Sequence, residues 1–287
     1  MLFKYYALSS TSLDALENLY IYATHPAQFS DELDCSQTIV TIDDVKSIEA
    51  IFDGILTKET INMYDFDELK QIANDGYYEI IYRKLGVVSL TDTPHNNHLW
   101  DKYAKDDGFC IGFNTFKIPF KKWIFSVAYE DFLPNLRISK TDIMTSLLVQ
   151  CLVKTKEYEK EQEWRMLVES PEGIDMQSFG KYRNVPPGYY HDRKFKYSID
   201  SVECVILGGH FFGDKLRQVS QTEYSVEFTD SSPQLRVLHV LQIMPFEVYW
   251  RTYFSPSEYV FQNILIVPMV DEHKYRIIIK STNQCIY

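Results

Sequence analysis

Glu161, Glu163 and Arg165 occupy alternate positions in Glu161-Gln162-Glu163-Trp164-Arg165, directly before the apolar Met166-Leu167-Val168. Successive side chains of an extended chain point to opposite faces. These three would therefore share one face, with Trp164, Met166 and Val168 on the other. Paired carboxylates of this kind can present a general base or hold a ribose hydroxyl. The plain alternative is an outer strand whose charges keep a sheet edge soluble. Glu163 is the expected centre of the site, with Glu161 and Arg165 as its neighbours.

A sheet must carry that face, and the apolar periodicity supplies one. Period-two patterns and short apolar runs predict strands over 2–6, 19–23, 86–90, 109–113, 123–129, 164–168 and 199–207. Further strands are predicted over 226–228, 235–243, 259–268 and 275–280. Helical spacing marks a short helix capped by Ser10 or Thr11, residues 43–84 with a break at 62–65, a turn or two over 97–105, and 213–220. Another helix is expected over 139–158, with Ser139 as cap and Asp142 three residues on. Helices and strands do not strictly alternate. The expected class is α+β, a mixed, largely antiparallel sheet core with several helices packed around it, in a single domain 1–287.

Composition narrows the functions. The chain has 287 residues, 45% of them apolar, enough for a large buried core. A formal charge of −11 argues against a broad nucleic-acid-binding face. Local basic stretches exist at Lys117, Lys121 and Lys122 and along Lys181, Arg183, Arg193, Lys194 and Lys196; solvated loops and strand edges are the simpler reading. Five widely spaced cysteines without a CxxC pair suit reduced thiols and rule out a zinc ribbon. His95 and His98, near Asp92 and Asp101, form no HExxH pattern and have no second ligand pair, so no metal site is expected there. Gly208-Gly209 lacks the spacing of a phosphate loop and reads as a tight turn. Met1–Tyr6 has no signal-peptide core and no apolar run approaches about 20 residues, so a cytoplasmic protein without membrane spans is expected.

Four segments in order resemble the bacterial domain-of-unknown-function family 2971. They are Phe3–Leu8; Leu19–Asp34; Val87–Leu90 running on to Leu99–Ala104 and Gly108–Phe113; and Tyr158–Arg165. The resemblance spans about residues 2–210, with 211–287 as a strand-rich C-terminal extension. Ser30-Asp31-Glu32 stands where the family usually has Asn-Asp-Pro, and Tyr158 where it often has Trp. What the resemblance implies is a setting near phage-defence and abortive-infection genes.

The order of the polar residues is also similar to that of ADP-ribosyltransferases, which transfer ADP-ribose from NAD and carry a late Glu-x-Glu. On that reading NAD is the cofactor. Lys4 or Tyr6 would hold ribose or phosphate, Thr24 and His25 would sit beside the nicotinamide, and Trp100 and Tyr103 would stack on a ring. The early Arg or His and the Ser-Thr-Ser of that superfamily are missing; Thr24-His25 replaces the latter. Two other readings stand beside it. Asp31, Glu32 and Asp34 with Glu161 and Glu163 could hold magnesium for a nuclease. The third is a non-catalytic sensor or antitoxin-like module that binds another protein through loop 180–197. There Tyr182, Tyr189, Tyr190 and Tyr197 with Arg183 and Arg193 have the composition of an interface hot spot.

Overall fold

The computed structural model describes residues 1–26, 29, 31, 33–51, 57–120, 122–138, 143–169, 193–255 and 258–283. In chain order the strands begin with β1 (Leu2–Tyr6), β2 (Tyr20–Tyr22), β3 (Val40–Thr41), β4 (Leu85–Thr91), β5 (Phe109–Phe113) and β6 (Lys122–Ser126). They continue with β7 (Ala128–Glu130), β8 (Leu136–Arg137), β9 (Val153–Thr155), β10 (Glu163–Glu169), β11 (Lys194–Lys196) and β12 (Val202–Leu207). The last are β13 (Arg217–Gln218), β14 (Glu223–Glu227), β15 (Glu247–Ser255), β16 (Glu258–Pro268) and β17 (Lys274–Asn283). The helices are α1 (Ser10–Glu17), α2 (Val45–Ile51), α3 (Lys58–Ile61), α4 (Phe66–Lys84), α5 (Asn97–Leu99), α6 (Ile143–Leu152) and α7 (Pro233–Ile243).

The fold is α+β, as the patterning predicts. Eleven strands run in the order β13-β14-β17-β16-β15-β12-β5-β1-β4-β10-β6. Pairing is antiparallel from β13 to β15, across β12–β5–β1 and between β10 and β6, and parallel between β12 and β15. Among the described residues no helix is long and apolar enough to cross a membrane.

The chain divides into two compact units. The first comprises Met1–Ile21, Leu90–Phe120 and Lys196–Tyr287; the second comprises Tyr22–Ser89 and Lys121–Phe195. In the first, Phe3, Trp100, Cys110, Ile206, Tyr249 and Phe261 form a buried cluster. Gly108 belongs to this unit, and a Cβ there would stand 2.1 Å from the Tyr6 carbonyl oxygen, so only glycine fits. In the second, Ile39, Ile48, Tyr77, Val87, Leu147 and Leu167 form the core beneath β10.

Local chemistry explains where the observed elements depart from the predicted ones. The cap of α1 is Ser9, one residue ahead of the expected pair; its hydroxyl accepts from Ser12 N at 3.2 Å. Residues 235–243 are helical rather than extended. Pro233, which has no N–H to leave unpaired, starts α7, and Leu235, Leu238 and Leu241 line its buried side at helical spacing. The predicted helix over 139–158 ends at Leu152; its expected cap Ser139 and Asp142 lie outside the described residues. Beyond it Val153 and Thr155, branched at Cβ, favour the extended chain of β9, which pairs in parallel with β7. Residues 213–220 form one 3-10 turn, Gly213–Lys215, followed by β13.

The opening motif also differs. Glu161 is not on the strand: it closes a 3-10 turn over Lys156–Glu161, and Gln162 bends the chain through a left-handed conformation, φ 46°. β10 then starts at Glu163 with β4 on one side and β6 on the other, so it is no sheet edge.

Candidate functional site: a buried ion network

β10 lies inside the sheet, so its inward face must be dry. Its alternation puts Glu163 and Arg165 on that face together, as their spacing requires. Arg165 is fully buried, which forces every guanidinium proton to find a protein partner. Its Nε donates to Glu163 Oε1 at 2.9 Å and its Nη2 to Asp34 Oδ2 at 2.7 Å. Nη1 donates to the Cys151 carbonyl at 2.6 Å and touches Cys35 Sγ at 3.4 Å. The Phe29 ring covers the guanidinium, 5.3 Å from Cζ.

Lys154 closes the cluster from β9. Its Nζ lies 2.9 Å from Glu161 Oε2, 3.1 Å from Glu163 Oε2 and 3.5 Å from Asp34 Oδ2, with the Tyr158 ring 4.6 Å away. The Tyr129 hydroxyl, on β7, accepts from Glu163 N at 2.8 Å. Three carboxylates thus surround two cations, leaving one surplus negative charge. All five side chains are at most 7% exposed, so the pairs act at low dielectric, where an unmade contact costs far more than at a surface.

The electrostatics follow from this packing. Burial alone would raise the Glu163 carboxyl. The Arg165 guanidinium and the Lys154 ammonium outweigh it and, with hydrogen bonds from Arg165 and Ser89, hold the group at about 2. Burial alone would lower Lys154, but Glu163, Asp34 and Glu161 keep its ammonium above the usual lysine range. A pH dependence follows. An unfolded glutamate takes up its proton near its ordinary value of 4.5, whereas the folded one refuses it until about 2. Stability from Glu163 is therefore complete above pH 4.5 and declines as the pH falls toward 2, by roughly 3 kcal/mol in all. Urea unfolding of the protein and of Glu163→Gln between pH 7 and pH 3 checks this: the gap between the two should narrow on acidification.

The structure gathers Glu161, Glu163 and Arg165 into one cluster. It adds Lys154, Asp34, Cys35 and the Cys151 carbonyl. In the sequence Asp34 reads as a candidate magnesium ligand, and no motif singles out Lys154. The ammonium of Lys154 sits among Asp34, Glu161 and Glu163 where a bound cation would sit. Among the described residues no group of three or more His, Cys, Asp or Glu side chains could hold a metal ion; Glu32 lies outside them.

The remaining predicted residues fall in both units. Thr24 and His25 belong to the second. Thr24 exchanges backbone hydrogen bonds with Val87, at 2.8 and 2.9 Å, two residues before the Ser89 that bonds Glu163, and His25 is buried. Lys4, Tyr6, Trp100 and Tyr103 belong to the first. Lys4 Nζ lies 5.6 Å over the Tyr6 ring, which stacks on Phe109 at 5.2 Å. Trp100 and Tyr103 do not share a face as an α-helical spacing of three suggests. They sit on a wider π turn, Trp100–Ala104, which buries Trp100 and leaves Tyr103 43% exposed. Trp100 donates to the Pro94 carbonyl at 2.8 Å and lies against the Arg251 guanidinium at 5.2 Å.

Arg251 anchors a second polar cluster, in the first unit, which sequence reasoning missed. Its guanidinium pairs with Asp106 through Nη1, donates to Asn97 Oδ1 at 2.7 Å through Nη2, and stacks on the Tyr259 ring at 3.1 Å. Asp106 also receives Gly209 N at 3.2 Å, His210 Nδ1 at 2.9 Å and the Tyr253 hydroxyl at 3.3 Å. Lys105 and Asp106 both adopt left-handed backbone, φ 54° and 52°, a conformation that surroundings must enforce. Gly208-Gly209 turns tightly against them, with only 2.3 Å between a Cβ at Gly208 and the Asp106 carbonyl oxygen. The one sequence signal for this cluster was that glycine pair.

Set against known protein families, curated proteins and solved structures, the chain matches none of them.

Proposed function

We propose that this chain is a non-catalytic module of the phage-defence type its sequence resembles, a sensor or antitoxin-like protein that works by binding another protein. The observation that carries this reading is the saturation of Glu163. Both its oxygens are taken by Arg165 and Lys154, and it is 5% exposed. A general base needs an accessible lone pair and a proton affinity near the working pH. A carboxylate held at about 2 by two cations has neither. The aromatic surface that NAD would need from Trp100 is likewise taken up by protein.

The partner-binding segment is the tyrosine-rich run after β10. Tyr182, Arg183, Tyr189 and Tyr190 lie outside the described residues and remain its expected contacts. Arg193 and Tyr197 do not belong with them. Both are buried, Arg193 donating to the Leu85 carbonyl at 2.9 Å.

A second reading, ADP-ribosyl transfer, is favoured by one observation. Glu161 and Glu163 converge on Lys154 with a surplus negative charge, which would suit a cationic nicotinamide ring or an oxocarbenium-like centre. One experiment separates the two. The full chain is incubated with adenylate-labelled NAD, alone and with bacterial extract. The expected result is neither labelled protein nor released nicotinamide, while alanines at Tyr182, Arg183, Tyr189 and Tyr190 abolish protection in a plaque assay without changing the circular dichroism spectrum. Label transfer that disappears in a folded Glu163→Gln variant would establish the enzyme instead.

A further inference from the structure

His210 gives one ring nitrogen to the protein and leaves the other open. Nδ1 lies 2.9 Å from Asp106 Oδ2, and the imidazole side chain is 63% exposed against 9% for Asp106. Nε2, across the ring, has no partner among the described residues. The carboxylate is held for this contact. Its Oδ1 accepts from Arg251 Nη1 and Gly209 N, and its Oδ2 also accepts from the Tyr253 hydroxyl. His210 N donates to the Asp106 carbonyl at 2.8 Å, so backbone and ring are pinned to the same residue. A Cβ at Gly209 would stand 2.9 Å from Asp106 Oδ2; glycine is what lets the carboxylate approach. The left-handed backbone of Lys105 and Asp106 adds a local strain of the kind kept where a side chain must be aimed. A carboxylate can only accept, so the ring proton is fixed on Nδ1 and the lone pair of the neutral imidazole is on Nε2.

We propose that His210 is a modification site, a phosphoryl acceptor at Nε2, and that its donor is an N-phosphoryl compound. The Nε2 lone pair attacks phosphorus: an N–P bond to His210 forms, the N–P bond of the donor breaks, and the donor nitrogen leaves as the neutral amine with the protons it already carries. Nothing is oxidised or reduced. The ring keeps its Nδ1 proton and becomes cationic, and Asp106 stabilises that charge as it develops. An acyl group at the same nitrogen would be lost quickly to water, whereas a phosphoryl group persists long enough to act as a mark.

Charge does not oppose the donor. Asp106 and Asp107 are offset by Arg251 and by Lys105, which is exposed and has no ion pair among the described residues. Other histidines lack the arrangement. His273 has a carboxylate on each ring nitrogen, Asp230 and Asp271, and His25 is buried. The site lies in the first unit; it goes beyond the partner-binding reading and does not depend on it.

The full, folded chain is incubated with potassium phosphoramidate in mildly alkaline buffer, digested without acid and mapped by mass spectrometry, with nitrogen-15 NMR of the histidine rings in parallel. His210 should be labelled on Nε2 well ahead of His98, which is exposed and has no partner among the described residues. The NMR spectrum should place the proton of the unlabelled His210 ring on Nδ1. Asp106 is a positioning residue, and Asp106→Asn tests it. The amide oxygen must face the donors of Arg251 and Gly209, so the amide NH2 donates to Nδ1 and the ring proton moves to Nε2. Labelling of His210 should then fall to that of His98 or below, with an unchanged circular dichroism spectrum. If this variant does not fold, the labelling order and the tautomer of the unsubstituted chain decide. The proposal is overturned if His98 is labelled as fast as His210, if the label sits on Nδ1, or if the neutral ring carries its proton on Nε2. Undiminished labelling in folded Asp106→Asn would overturn it too.

Discussion

Arg165→Met is expected to lower the free energy of unfolding by about 3–5 kcal/mol, read as a shift of the urea midpoint. The side chain is fully buried, so solvent does not screen its contacts. Removing it leaves Glu163 and Asp34 with Lys154 as the cation beside both, and strips the donor from the Cys151 carbonyl. Methionine fills much of the volume, so the loss reports uncompensated charge rather than a cavity. Arg165→Lys should recover part of it. An ammonium restores the charge, but it cannot reproduce the fork that reaches Glu163, Asp34 and Cys151 together. For comparison, Lys156 and Asp131 pair at 2.8 Å with both side chains more than half exposed, and Lys156→Ala should leave the unfolding curve unchanged.

Asp106→Ala should cost a similar amount, about 3–5 kcal/mol, but in the first unit. Arg251 is 1% exposed and would keep Asn97 while losing its charge partner. Gly209 N and His210 would lose their acceptor at the same time. Lys105 and the residue at 106 would then lose the side-chain tie that helps hold their left-handed backbone. Asp106→Asn should recover the bond to Gly209 without the charge. An unfolding curve gives the size of this change but does not say in which of the two compact units it falls. Hydrogen exchange along β12, which ends just before Gly208, and β15, which carries Arg251, locates it: their protection should fall while that of β10 serves as the reference.

The fold class was legible because sheet strands announce themselves by local period. β1, β5 and β10 lie within a residue of their predicted places, since each alternates or runs apolar over at least five positions, whereas β12 starts three residues late because Ile199–Ser201 form a 3-10 turn. The failures arose where a pattern satisfied two periods. Leu235-Arg236-Val237-Leu238-His239-Val240 alternates well enough for a strand, and the proline at the start of α7 decides for helix. At 153–155 the helical stripe of α6 runs on in the apolar pattern, while branched residues and a parallel partner in β7 draw the chain out.

By itself the sequence determined that Glu163 and Arg165 share a face, because a two-residue spacing on a strand leaves no alternative. It could not determine that this face is dry, or that Asp34 and Cys35, some 130 positions away, would meet Arg165 there. Nor could it place Lys154 among three carboxylates, or Asp106 against Arg251. The physical reason is that periodicity is a property of neighbours along the chain, whereas the fate of a charge depends on what water is removed from it and what is brought within about 3 Å instead. Only the tertiary structure supplies both. In doing so it placed Glu161, Glu163 and Arg165 in a buried ion network with Lys154 and Asp34.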